Sequence, residues 1–302
     1  MLEVTGSKKD SKSEPTTDLT MRATHCNYMN DRSEFDFGVN LCRKAICEYE
    51  NEHGIPEELS LGQYMDDKSY DSDRFTFLFN SAYADKSEYG YPYLISFSHV
   101  KDSIPMWGMY AANGGGIALV FDRDELEAQF RGTKYRDCLY CNEGDTSLIM
   151  RDINDKYKGL KKPNDDIDAE LAETFKKAGA FARIQRIYRA IGPFVKHKAF
   201  EYEQEFRIIV SKPKPIHYVF GTKCDTFGDE LISNKSDNIL FREKEGMIIP
   251  YVEQQIPLRC LKEIIIGPTA DFERLKDAIT VFLLNRDIKI VEITRSEVPY
   301  RG

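Results

Sequence analysis

Strand-like and helix-like segments follow one another along this chain without a strict βαβ alternation, and that order constrains the fold more than any other feature. Tyr91–Ser98, Ile117–Phe121 and Tyr202–Val210 are rich in β-branched and aromatic residues and read as strands, and Lys134–Tyr140 alternates like one. More strands are predicted over Ile216–Phe220, Ile239–Phe241, Met247–Val252, Glu263–Ile266 and Ile288–Ile293. Helical spacing appears over Glu34–Tyr49, Phe75–Ala84, Asp165–Tyr188 and Phe272–Leu284, with short helices after Ser103-Ile-Pro105 and after Asp122. The pattern predicts an α+β fold: a mixed, mostly antiparallel sheet core with flanking helices and a helical insertion over about residues 145–195. Residues 1–19 are polar and charged and are expected to be a flexible tail, with residues 20–302 as a single α+β domain.

Composition narrows the function classes. The 302 residues carry 42 basic and 50 acidic side chains, a formal net charge of -8, with no basic stripe. Broad binding along a phosphate backbone is therefore not expected. No stretch approaches the roughly 20 apolar residues that span a bilayer, so no membrane partner is expected. The seven cysteines are an odd and sparse set, and with no signal-like apolar core they fit free thiols in a cytoplasmic protein. Cys138-Leu-Tyr-Cys141 has the CxxC form, but no second pair follows at metal spacing, so it reads as structural thiols.

Two segments carry groups suited to chemistry. In a strand, alternate side chains share a face. Glu203, Glu205, Arg207 and Ile209 then point one way, with Phe206, Ile208 and Val210 on the other. Two carboxylates so close are expected to raise each other's pKa; a solvated ion pair is the plainer alternative. Ser96-Phe97-Ser98 ends an earlier strand, and Trp107 and Tyr110 share one helix face that could wall a flat ring. Asp31, Glu34, Asp102, Glu203 and Glu205 are carboxylates that could gather around a metal. The triple glycine 114–116 lacks a phosphate-loop pattern and reads as a helix stop.

In order, Tyr28-Met-Asn-Asp-Arg-Ser-Glu-Phe35, Ser96-Phe-Ser98, Met106-Trp-x-x-Tyr110-Ala111, Gly116-Ile-Ala-Leu119, Lys198-x-Phe-x-Tyr-Glu-x-Glu-Phe-Arg207, Ile265-Ile-Gly-Pro268 and Ser296-x-x-Pro-Tyr-Arg301 resemble a bacterial family known as domain of unknown function 2971. More distantly the set is similar to the ADP-ribosyltransferase fold, which holds NAD with an early Arg or His, a Ser-x-Ser strand and a Glu-x-Glu strand. That resemblance implies NAD as substrate and an ADP-ribosyltransferase or NAD glycohydrolase, with a toxin or phage-defence role. It implies catalytic roles for Glu205, Glu203 and Ser98, and cofactor contacts from Ser96, Ser98, Trp107, Tyr110 and Arg207. The acceptor would be a protein or nucleic acid, and a regulatory protein partner fits such an effector. The chain departs from the family pattern at its start, where Arg22 or His25 would have to stand for the first motif. The alternatives are a metal-dependent nuclease or hydrolase built on the acidic residues, and a non-catalytic binding protein.

Overall fold

The computed structural model describes residues 3–5, 18–29, 32–65, 92–130, 134–158, 180, 183–184, 186–210, 239–244, 246–286, 288 and 291–299. The helix expected over Phe75–Ala84, the strand over Ile216–Phe220 and most of the helix over Asp165–Tyr188 lie outside these residues. Among them the architecture is α+β with a mostly antiparallel sheet, as the element order predicts. The largest sheet has the order β5-β8-β3-β2-β10-β9: Lys134–Asp137, Glu205–Val210, Tyr93–Ser98, Asp18–His25, Met247–Pro257 and Leu240–Lys244. β1 (Glu3–Thr5) pairs antiparallel with the start of β2, so part of the stretch expected as a tail is a strand instead. A three-stranded sheet runs β12-β11-β4 (Glu292–Arg295, Leu261–Ile266, Ile117–Phe121), and β6 (Leu139–Cys141) pairs parallel with β7 (Val195–His197).

β3 and β2 meet only briefly. Their register joins Thr24 to Leu94 and His25 to Tyr93 and goes no further. β1 takes the same edge of β2 from Thr20 to Asp18. The half of β3 that holds Ser96 and Ser98 is thus laddered to β8 on one side and parted from β2 on the other.

Each face of the large sheet packs differently. Phe97, Phe206 and Ile208 face a core shared with β11 and with α5 (Phe272–Leu284). Leu94 and Ile209 face the opposite way, under Phe194 and Phe35. Phe35 belongs to α1 (Arg32–His53), which Gly54 ends in a left-handed turn (φ 56). Gly38 lets α1 lie against the 3₁₀ turn Gly192–Phe194: a Cβ there would stand 3.0 Å from Gly192 Cα and closer to its oxygen. This approach sets Glu34 and the Pro193 carbonyl over the polar half of β8.

Two expected strands are revised. Lys134–Tyr140 divides at Cys138 between β5 and β6, which belong to different sheets. Tyr202–Val210 begins as a strand only at Glu205, because Lys198–Glu203 is a 3₁₀ helix closed by Gln204 in the left-handed conformation (φ 41). Met150–Lys158 (α4) and the helical residues 186–191 lie in the stretch expected as a helical insertion.

Candidate active site

The polar face of β8 is buried. β3 pairs with β8 so that Ser98 stands opposite Glu205 and Ser96 opposite Arg207. Arg207 is 2% exposed. Its Nε and Nη2 donate to the two Glu205 oxygens at 2.8 and 2.9 Å, a bidentate fork. Its Nη1 donates to the Pro193 carbonyl at 2.6 Å, and Nη2 also donates to Glu34. Lys196, on β7, donates to Glu205 Oε2 at 2.9 Å and to Glu203, and lies 3.7 Å from Glu34 Oε2. Three carboxylates therefore share two cations.

Glu203 leaves the strand but keeps its neighbour. The left-handed Gln204 turns the chain between the two glutamates, and both carboxylates converge on Lys196. The Glu205 N–H donates to the Tyr140 hydroxyl at 2.7 Å. Glu203 Oε1 accepts from the Tyr110 hydroxyl at 3.0 Å. Tyr110 comes from α2 (Ile104–Tyr110) and is 47% exposed, beside the exposed Met109 and Tyr202, whose hydroxyl reaches the Met109 sulfur. Ser96 is exposed, and its hydroxyl bonds to the Glu205 carboxylate. Buried charge here meets solvent through one serine and a tyrosine-rich rim.

The electrostatics differ from the expectation that the glutamates raise each other. Burial alone would push the Glu205 carboxyl up. The Arg207 fork, Lys196 and Ser96 outweigh burial and hold it down to about 2. For Glu34 burial wins over Arg207 and Lys196, with the Glu205 charge adding to it, and the carboxyl is raised. Glu34 has one close guanidinium contact where Glu205 has a fork, which accounts for the opposite outcome. Burial would lower Lys196, but Glu205 and Glu34 outweigh it and hold the ammonium above the ordinary lysine value. Burial and then Glu203 push the Tyr110 phenol up.

Not every candidate joins this group. The Ser98 hydroxyl donates to the Glu203 carbonyl at 2.6 Å and accepts from Val100 N–H at 3.0 Å, so it fastens the end of β3 to the 3₁₀ turn. Ser96, rather than Ser98, presents a hydroxyl at the open side. Trp107 is 3% exposed and its indole N–H donates to Asp102 Oδ1 at 2.5 Å. A ring buried this way does not wall an open site, and its helix contributes Tyr110 instead. Asp102 also accepts from the Ser296 hydroxyl and from Glu297 N–H, both at 2.8 Å, which keeps it out of the carboxylate group. Asp31 lies outside the described residues. Glu34 does reach the glutamate pair, but Lys196 and Arg207 fill the space between the carboxylates. Among the described residues no group of three or more His, Cys, Asp or Glu side chains is placed to hold a metal ion. His25 pairs with Tyr93, so it falls on the opposite face of the sheet from Glu205. Cys138 and Cys141 are buried, and burial pushes their thiols up to about 12 and about 11.

Sequence reading missed Lys196 and Tyr140. The only local signal for Lys196 was a single lysine following two apolar residues, Phe194 and Val195, after Gly192-Pro193. Among the described residues no helix is long and apolar enough to cross a membrane. Residues 106–208 match the model of a family described as Protein of unknown function (DUF2971). That stretch contains Tyr110, Tyr140, Lys196, Glu203, Glu205 and Arg207, and leaves out Glu34 and Ser96. No curated protein and no solved structure matches the chain.

Proposed function

We propose that the group around Glu205 cleaves the N-glycosidic bond of NAD, making the protein a glycohydrolase or ADP-ribosyltransferase that acts as a toxin or phage-defence effector. The observation that carries this reading is Ser96: an exposed hydroxyl bonded to a carboxylate that stays ionised across the physiological range. The bond from the ribose C1′ to the nicotinamide nitrogen breaks, and its electron pair leaves with nicotinamide. The ribose is left as an oxocarbenium ion, and a fixed anion stabilises such developing positive charge. Glu205 supplies that anion, with Ser96 towards the ribose. Glu203 orients the incoming water or acceptor and takes its proton, and the rim of Tyr110 and Tyr202 suits a flat ring. A surplus of carboxylates over cations leaves the group receptive to a cationic ring.

One observation favours a second reading. Every Arg207 nitrogen has an acceptor and the side chain is buried, as in a structural hub of a non-catalytic protein. Incubation with NAD separates the two. Wild type is expected to release nicotinamide, and Glu205→Gln to slow release by about a hundredfold or more. Ser96→Ala, at an exposed position, gives a milder loss without threatening the fold. No release from the folded wild-type protein overturns the NAD reading. Release unchanged in both variants moves the chemistry elsewhere and leaves the group around Glu205 structural.

A further inference from the structure

The polar face of the large sheet changes sign across the parting of β3 from β2. Cross-strand partners share a face. The pairs Leu94–Thr24, Thr24–Tyr251 and Ile249–Arg242 therefore put Thr24, Tyr251 and Arg242 on the face that carries Ser96 and Glu205. Arg22, two residues before Thr24, joins them. Arg242 crosses over β10, and its Nη2 donates to the Thr24 hydroxyl at 3.1 Å. Its Nε is buried with no hydrogen-bond acceptor. The Arg22 guanidinium carbon stands 4.9 Å from the centre of the Tyr251 ring. The register also sets Glu253 opposite Arg22, and that carboxylate is exposed.

A buried guanidinium N–H without an acceptor is costly, and a neighbouring cation adds to the cost. An oxyanion relieves both. The flat guanidinium fork matches phosphoryl oxygens, and a hydroxyl that accepts from Arg242 keeps its own proton to donate. We infer that Arg242, Arg22 and Thr24 form an oxyanion site for a phosphoryl group, with the Tyr251 ring under the Arg22 guanidinium. The site stands on its own geometry and does not need the glycosidic reading. If both hold, a dinucleotide lies along one sheet face, its phosphates at Arg22 and Arg242 and its cationic ring towards Glu205. Thr24 lies two strand steps from β8 and level with Ile209, four residues from Glu205, which sets the two groups on the order of 15 Å apart.

The probe is inorganic pyrophosphate, titrated calorimetrically into the purified full-length protein at low salt. Wild type is expected to bind it. Arg242→Gln is expected to weaken binding about tenfold or more, and Arg242→Lys, which keeps the charge without the fork, less. Arg286→Gln, at an arginine stacked on Phe282, serves as the unaffected control. If Arg242→Gln lowers the melting temperature sharply, Arg22→Gln on the neighbouring strand is read in its place. A folded wild type that binds no pyrophosphate, or Gln variants that bind it as wild type does, overturns the site. A parallel titration with ADP-ribose separates the sources. Tighter binding with the same dependence on Arg242 assigns the site to a nucleotide, and pyrophosphate binding alone assigns it to free phosphate. Binding by a protein that releases no nicotinamide sustains this site while the NAD reading fails.

Discussion

Arg207 and Trp107 mark what one residue's neighbours in sequence do and do not reveal. Strand alternation was enough to put Glu205 and Arg207 on one face, two residues apart, and their fork is that face realised. Whether the face meets water depends on what lies over it. Glu34 is 173 residues away in sequence, and no local pattern ties it to Arg207. Breaking a buried ion pair by removing one partner leaves the other charge uncompensated. Arg207→Met would strand Glu205, Glu34 and the Pro193 carbonyl with only Lys196 and the Ser96 hydroxyl left beside the carboxylates. It is expected to cost about 3–5 kcal/mol in urea denaturation, with Arg207→Lys losing less. A loss below about 1 kcal/mol, the range of an exposed pair, would mean that the network is solvated. For Trp107 the decisive neighbour was local: Asp102, five residues earlier, takes the indole N–H. The chain's only tryptophan is a joint between α2 and the Ser296–Glu297 segment, which in turn sets Tyr110 over Glu203.

At the scale of elements, the boundaries that failed were those where backbone geometry changes without a change in composition. Nothing in Tyr202-Glu-Gln-Glu announces that Gln204 will be left-handed, since a non-glycine residue rarely is. Yet that residue ends a 3₁₀ helix and starts β8. Cys138 likewise separates two strands inside one alternating run, although its N–H still donates to the Glu205 carbonyl in the register of the β5–β8 pairing. Where punctuation is explicit, sequence and structure agree: α3 (Arg123–Gln129), after Asp122, and α5 both start at aspartates that accept an N-terminal N–H. The joint behind α2 tests the fit of elements. Ala112, Asn113 and Gly114 are all left-handed after α2, and the loop after β11 locks them: Gly267 N–H donates to Gly116 O and Thr269 N–H to Gly114 O. A Cβ on Gly267 would stand 2.9 Å from the Gly114 carbonyl carbon and nearer its oxygen. Gly267→Ala is therefore expected to force β4 and β11 apart at this end, at a cost of about 2–3 kcal/mol. Scanning calorimetry should show a melting temperature lower by several degrees. An unchanged melting temperature would mean that the joint is slack and does not hold α2 in place.

For the molecule as a whole, fold class was legible and sheet order was not. Hydrophobic periodicity is local, so it can call a strand, but it cannot say that β10 will lie beside β2, which sets Thr24 against Tyr251. The same limit hid the balance of the buried network, since its members come from α1, β7, β8 and the 3₁₀ turn before β8. That balance has a global consequence in the dependence of stability on pH. Glu205 is held at about 2, below the 4.5 of an unperturbed glutamate. Its contribution is fully present above about pH 5 and is lost as pH falls towards about 2, and a depression of this size is worth about 3 kcal/mol. Glu34 has the opposite sign. Its raised carboxyl favours the protonated form in the folded state, so its contribution is full below the ordinary value and fades as pH rises through the folded one. Two variants separate these effects in urea midpoints measured across the acid range. Glu205→Gln is expected to be less stable than wild type near neutrality, and the gap should close as pH falls and wild-type Glu205 takes up its proton. Glu34→Gln keeps an acceptor for Arg207 and imitates the protonated acid. It is expected to lie close to wild type in acid and to match or exceed it near neutrality. A Glu205→Gln gap that stays constant down to the acid transition would show that this carboxylate titrates alike in both states. The network would then contribute through packing and not through charge.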